Sequence, residues 1–163
     1  MLMTGSASAD AERAFTQVLR RRRRATLVRW LRRDAAGCAQ LPVYHERTLD
    51  GGSGRPGHGV REVPLTAIRG TLEPSRAKLF DCSFRPAAAA RTRWQRLWLA
   101  EHRGAVLPPI SVVSVGDAYA IRDGHHRVSV ARARGAVTID ATVEAVRPGA
   151  GEWLSAARSP DPS

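Results

Sequence analysis

The stretch that decides the fold is PPISVVSVGDAYAIRDGHHRVSVARARG, residues 108–135. A run rich in Val and Ile at 110–115 and the run Ala-Tyr-Ala-Ile-Arg at 118–122 flank Gly116-Asp117, a spacing typical of a β-hairpin. The second run ends at Asp123-Gly124, and no helix breaker follows until Gly135, so we predict a short helix over residues 125–134. A hairpin, a glycine turn and a helix therefore follow one another directly along the chain.

The junction Asp-Gly-His-His-Arg at residues 123–127 carries the candidate chemistry. Gly124 allows a tight turn and a close approach of the backbone to a ligand. The helix that begins there directs its first N–H groups and its positive dipole end outward. With His125, His126 and Arg127 in the first turn, the pattern predicts an anion site, typically for phosphate. The alternative is that the two histidines are polar cap residues and Arg127 pairs with a nearby acid.

The segments on either side of this junction complete a small α/β module. Trp94, Leu97 and Trp98 share one face of a predicted helix that ends before Gly104, and we expect the tryptophans to be core residues. Residues 137–146 alternate apolar and polar side chains, as a strand does. In chain order we predict an edge strand at 60–65 marked by Pro64, a turn at 68–71, a helix at 91–102 and a strand at 137–146.

The amino-terminal region predicts a basic helix over residues 10–33, capped by Asp10. Its two apolar groups do not align into one stripe, so the amphipathicity is imperfect. Five consecutive arginines must point all round such a helix. They indicate contact with a polyanion, either nucleic acid or an acidic membrane surface, or else a solvated helix with no specific partner. These residues are Arg20, Arg21, Arg22, Arg23 and Arg24.

Composition sets the outer bounds. The net charge is +11, the sequence pI is about 11.4, and 43% of the 163 residues are hydrophobic, which excludes wholesale disorder. No apolar run is long enough for a membrane span, and the first ten residues lack a signal sequence, so we expect a cytoplasmic protein. Cys38 and Cys82 fit no metal spacing, and we expect free thiols. We divide the chain into a basic helix (1–35), a Gly/Pro-rich linker (36–59), one α/β domain (60–148) and a flexible tail (149–163).

A set of motifs resembles the ParB/sulfiredoxin superfamily. It comprises Leu-Pro-Pro-Ile at 107–110, the hairpin, the 123–127 junction and the helix that ends at Gly135, together with Val-Pro-Leu-Thr-Ala-Ile at 63–68. The Gly-His-His-Arg form is most similar to small proteins labelled ParB-like nuclease. The resemblance covers residues 60–146 and implies a small mixed sheet with packed helices. In the sulfiredoxin motif that this junction resembles, a nucleophilic cysteine occupies the position of His125. The histidine therefore excludes sulfinic-acid reduction by that route.

The resemblance also implies a ligand and a set of site residues. The ligand is a nucleoside triphosphate, CTP or ATP, with Mg²⁺, and DNA and a second copy of the chain are candidate partners. Arg76 or Lys78 is placed to reach phosphate, while Glu73, Asp81 or Asp123 could hold Mg²⁺ or act as a base. The nucleotide-binding candidates are Arg76, Asp123, Gly124, His125, His126 and Arg127, and the catalytic candidates are Glu73, Asp123 and His126.

Three functions remain open at this point. The first is a nucleotide-binding module whose basic helix engages DNA or another polyanion. The second is a phosphotransferase or nuclease that uses the same loop, with a histidine or a carboxylate transferring the proton. The third is a non-enzymatic nucleic-acid-binding protein, for which binding would depend steeply on salt through the arginine run.

Overall fold

The computed structural model of the protein describes residues 6–33, 38–45 and 59–144. These ranges contain a five-stranded sheet and four α-helices. The strands are β1 (Val60–Pro64), β2 (Ile68–Thr71), β3 (Ile110–Val115), β4 (Ala118–Asp123) and β5 (Thr138–Glu144). The helices are α1 (Ala7–Leu31), α2 (Pro74–Ala77), α3 (Arg91–His102) and α4 (His125–Ala133).

The sheet is mixed, with the strand order β1-β5-β3-β4-β2. The hairpin β3–β4 is antiparallel and closes where Val115 pairs with Ala118. β5 runs parallel to β3, and β2 runs parallel to β4. β1 lies at one edge, antiparallel to β5, with Pro64 opposite Thr138. The predicted α/β class, the hairpin, the helix after it and the edge position of Pro64 are therefore confirmed.

Residues 68–71 form strand β2 and not the predicted turn. Ile68 pairs with Tyr119 and Thr71 pairs with Ile121 of β4. The strand is short and contains Gly70, which hid it from a pattern search. Gly70 is needed because a Cβ there would lie 2.4 Å from the Tyr44 ring and 2.6 Å from the Pro42 carbonyl oxygen.

The core lies where the sheet meets the helices, in a main and a smaller cluster. The main cluster includes Ile110, Ile121 and Val128, all fully buried. The smaller cluster joins α1, α3 and α4, where the Phe15 and Trp94 rings meet edge to face at 5.5 Å. The Trp94 indole N–H donates to the Ser129 hydroxyl at 2.9 Å. The core assignment of Trp94 is confirmed, whereas Trp98 is half-buried and stacks on His102.

Helix α1 begins earlier than predicted, at Ala7, with Ser6 as the N-cap residue. Asp10 lies in the first turn, where its carboxylate pairs with Arg13, so it is not the cap. The buried side chains of α1 all lie in its first half, up to Leu19. None of the helices in the described ranges is both long and apolar enough to cross a membrane.

Part of the predicted linker packs against the domain. Leu41 is buried in the main cluster, and its backbone N–H donates to the carbonyls of Ala77 and Phe80. Cys38 and Cys82 form a disulfide with a Cα–Cα distance of 5.7 Å, so the expectation of free thiols was wrong. The two cysteines are 44 positions apart, and only the fold brings them together. The rest of the linker and the predicted tail lie outside the described residues.

Candidate anion-binding site

A pocket of about 290 Å³ lies at the edge of the sheet where β2 and β4 both end. Because these strands are parallel neighbours, the elements that follow them, α2 and α4, start from the same edge. Such carboxyl-end crevices are where open α/β sheets bind ligands. Helix α3 closes one side. The pocket is lined by Arg76, Arg93, Leu97, Pro108, Asp123, Gly124, His125, His126 and Arg127.

Gly124 joins β4 to α4 in a left-handed conformation, with φ of +111°. An added Cβ would lie 2.4 Å from the Ile110 Cγ2 atom, so the position demands glycine for packing as well as for conformation. No side chain caps α4. Its first N–H groups, which precede the first intrahelical bond, are therefore available to an anion in the pocket.

Arg127 is engaged by its own chain. Its guanidinium donates to the carbonyls of Pro108 and Pro109, the latter at 2.7 Å, and it pairs with the Asp123 carboxylate. The alternative that this arginine pairs with a nearby acid is therefore what the structure contains. Arg127 thus links the residues just before β3 to the start of α4 and forms part of the pocket wall.

Two other arginines face the pocket with no such partners. Arg76 on α2 and Arg93 on α3 make no hydrogen bond or ion pair within the described part of the chain. Both raise the local positive potential, since each lowers the pKa of a pocket histidine. Arg76 was identified from the sequence as a candidate nucleotide-binding residue, whereas Arg93 was not. Arg93 lies 30 positions before Asp123, in a helix assigned to the core, and only the packing of α3 beside α4 reveals it.

His125 anchors α4 to β2. Its Nε2 atom lies 2.6 Å from the Thr71 hydroxyl, and its ring stacks on Phe80 at 6.2 Å. Burial, then repulsion from Arg76, lowers its pKa to about 4. His125 is thus neutral at pH 7 and links β2 to α4 through its contact with Thr71.

His126 is the pocket histidine without a side-chain hydrogen bond to any described residue. Its ring packs edge to face on Phe80 at 5.1 Å. Burial lowers its pKa to about 4, and repulsion from Arg93 and Arg76 adds to the effect. Its imidazole is therefore neutral at pH 7 and offers one donor and one acceptor.

The acidic candidates are spread out. Asp123 lines the pocket with its side chain 69% exposed, and Arg127 occupies one of its oxygens. Asp81 is buried, accepts from the backbone N–H groups of Ser83 and Arg85, and pairs with the Arg85 side chain at 2.7 Å. Glu73 is exposed and does not line the pocket. Lys78 is exposed and, like Glu73, lies off the pocket.

The arginine run on α1 contains one side chain that is bound to the domain and four that are exposed. Arg22 donates to the carbonyls of Leu79 and Arg85 at 3.0 and 3.1 Å, and to that of Lys78. Desolvation accordingly lowers the pKa of Arg22. The other four arginines of the run are exposed and make no side-chain bond to a described residue.

Comparison with known proteins adds one solved structure. Sulfiredoxin from Arabidopsis thaliana is similar to this chain at 24% identity, over 60% of this chain and 94% of that one, with a TM-score of 0.39. No family model matches the chain, and no curated protein matches it. A similarity of this degree carries no information on activity.

Proposed function

We propose that the protein binds a nucleoside triphosphate, CTP or ATP, with its phosphates at the amino end of α4. The observation that carries this proposal is the convergence of Arg76 and Arg93, both without ion-pair partners in the described ranges, on an uncapped helix start. Arginine guanidinium groups and helix N–H groups are complementary to phosphate oxygens. The pocket volume suits the phosphate chain, with the base lying outside it.

Binding is favoured over phosphoryl transfer or nuclease chemistry by the state of the candidate bases. A side chain with a pKa near 4, as in His126, accepts a proton weakly at pH 7. Asp123 has one carboxylate oxygen paired with Arg127, and Glu73 lies outside the pocket. The neutral His126 is better suited to hydrogen-bond a phosphate oxygen or a sugar hydroxyl.

Mg²⁺ fits this proposal as a companion of the phosphates. Within the described ranges no group of three or more His, Cys, Asp and Glu residues could hold a metal. Mg²⁺ commonly binds through one or two carboxylates together with substrate phosphates. Asp123, the carboxylate that lines the pocket, would supply the protein ligand, and the ion would neutralise part of the phosphate charge.

The proposal includes a polyanion contact by α1. The exposed Arg20, Arg21, Arg23 and Arg24 make no side-chain bond to a described residue, which supports this contact. Phosphate-rich surfaces bind such clusters with strong salt dependence. DNA and acidic lipid surfaces both satisfy this charge requirement.

The nucleotide site is tested by thermal melting of the full chain with CTP, ATP, GTP and UTP, with and without Mg²⁺. A ligand at about 100 times its Kd stabilises the native state by about 2.7 kcal/mol, a measurable shift. We expect CTP or ATP to raise Tm, and the double change Arg76→Gln, Arg93→Gln to abolish the shift.

Arg96→Gln is the matched control, because Arg96 is an exposed arginine of α3 that does not line the pocket. It should keep the ligand-induced shift. A flat panel with all four triphosphates contradicts the proposal. A shift that survives the double change would place the nucleotide elsewhere.

A further inference from the structure

The second half of α1 carries an apolar face that the described residues leave open. Leu27, Val28, Trp30 and Leu31 are 54%, 45%, 73% and 64% exposed. At about 100° per residue, these four side chains span roughly 160° of the helix circumference. Leu27 and Leu31 lie roughly opposite the face that buries Phe15 and Val18 against the domain, and Trp30 lies on the side of the helix that carries the buried Leu19. This half of the helix therefore extends beyond the core with an apolar surface turned outward.

The charged side chains in the second half of α1 are all positive. Residues 13–33 contain no acidic residue, and eight arginines lie between Arg20 and Arg33. Arg20, Arg23 and Arg24 project from the same side of the helix as Leu27, one to two turns nearer the amino end. Arg22, on the opposite side, is bound to domain carbonyls and holds the helix in place. An occupant of this face must combine negative charge with apolar surface.

We propose that this face docks on an anionic lipid bilayer, lying in the interface and not crossing it. An anionic bilayer supplies headgroup phosphates for the arginines and hydrocarbon for the four apolar side chains within one shallow layer. Tryptophan favours this interfacial depth, and long arginine side chains reach back to the phosphates. The proposal rests on the polyanion contact proposed above for α1, and it is independent of the nucleotide pocket.

Other occupants satisfy only half of the requirement. The phosphate backbone of DNA would pair with the arginines but leave Leu27, Val28 and Leu31 against a polar surface. A second copy of the chain would cover the apolar residues but bring two sets of eight arginines together. Beside the face, a groove of about 520 Å³ runs between α1 and Ala87-Ala88, and it is lined by Leu19, Leu27 and Trp30 among others. This groove extends the apolar surface toward the domain.

The test is cosedimentation of the full chain with vesicles of phosphatidylglycerol mixed with phosphatidylcholine, compared with vesicles of phosphatidylcholine alone. We expect binding to the anionic vesicles and little binding to the neutral ones. The change Leu27→Ser, Trp30→Ser, Leu31→Ser should weaken partitioning by at least about tenfold. The change Arg23→Gln, Arg24→Gln should weaken it by about 10- to 30-fold, at about 1 kcal/mol per arginine.

The matched control is Val106→Ser, Val137→Ser, which removes two other exposed apolar side chains and should bind as the wild type does. Unchanged melting temperatures show that the variants fold. Absence of binding to anionic vesicles, or wild-type binding by the triple serine variant, overturns the proposal. Salt-dependent binding to duplex DNA without binding to vesicles also overturns it and leaves the polyanion contact to DNA. Nucleotide-induced melting shifts, measured in parallel, report on the pocket separately.

Discussion

The pocket at the start of α4 and the arginine run of α1 use the same residue type in opposite ways. In each region one arginine is bound by backbone carbonyls: Arg127 by Pro108 and Pro109, and Arg22 by Leu79 and Arg85. In the pocket the remaining cations, Arg76 and Arg93, come from two helices and converge. On α1 the remaining cations come from one helix and diverge.

The difference shows that placement, more than number, distinguishes a ligand site from a charged surface. A convergent pair acts on one small anion, whereas a divergent set acts on an extended one such as a bilayer or a duplex. The structural arginine has a different position in each region: Arg22 fixes the helix on which the open arginines lie, whereas Arg127 fixes the start of α4, which the open arginines of α2 and α3 face.

The largest effect on stability is expected at Gly124, where the backbone itself forms part of the pocket. Gly124→Ala should lower the free energy of unfolding by about 3–4 kcal/mol, because it combines a left-handed conformation with overpacking against Ile110. Urea denaturation measures this loss. Gly135→Ala is the control: φ there is +78° but nothing lies within 4 Å of the added Cβ, so only about 1–2 kcal/mol should be lost. Equal losses would mean that contact with Ile110 contributes nothing.

The two regions should also differ in their response to pH. His125 and His126 have pKa values of about 4 in the folded protein, against 6.5 for an unperturbed histidine, so the unfolded chain binds more protons between these pH values. Stability is full above pH 6.5 and falls as the pH drops toward 4, by up to about 3 kcal/mol per histidine. Urea titrations at several pH values measure the slope.

The matching variants are His125→Gln and His126→Gln, each of which should flatten this slope. His102→Gln, at an exposed histidine of α3, should leave it unchanged. Substitutions in the arginine run should also leave the slope unchanged, since arginine stays charged throughout this range. A wild-type slope in both pocket variants would show that carboxylates alone cause the acid sensitivity.

Arg127→Gln separates the structural arginine of the pocket from the ligand-binding pair. It removes the bonds to two carbonyls and to Asp123, so a loss of about 2 kcal/mol in the free energy of unfolding is expected. Arg76→Gln should cost less than about 0.5 kcal/mol, because no described residue bonds to its side chain. Chemical denaturation of both variants decides the matter, and equal stability would contradict the division of roles.

The smallest effect on stability is expected for the arginine run of α1, in which Arg22 is bound to the domain and Arg23 is exposed. Arg22→Gln should lower the free energy of unfolding by about 1 kcal/mol, since three carbonyls lose a charged donor at a partly exposed site. Arg23→Gln should have no measurable effect on stability. If both variants are as stable as the wild type, the Arg22 bonds do not contribute to holding α1 against the domain.

Local sequence patterns predicted most elements of the fold. The hairpin, α3 and α4 were predictable because alternation, helix periodicity and glycine stops lie within short windows. β2 and α2 were missed because each has only four residues, and β2 contains a glycine. Segment 38–45 was assigned to a linker on composition, although Leu41 reaches the core.

Residue patterns alone predicted only the part of the site that is contiguous in sequence, and Arg76 was added by the family resemblance. Residues 123–127 were identified from their own pattern, but the engagement of Arg127 depends on Pro108 and Pro109, which the hairpin returns to its side. Arg93 joins the pocket through the packing of α3 on α4, a contact that no local pattern encodes. The Cys38–Cys82 bond depends on tertiary structure in the same way.

The order of strands in the sheet has a consequence for synthesis on the ribosome. Of the strands in the described ranges, β1 is made first and β5 last, and these two pair with Val60 opposite Thr142. β3 likewise obtains its second neighbour only from β5. The nascent chain must therefore hold β1 without a partner until residue 144 has left the exit tunnel. Pairings this distant in sequence form slowly, so the sheet closes as a late event after translation of nearly the whole domain.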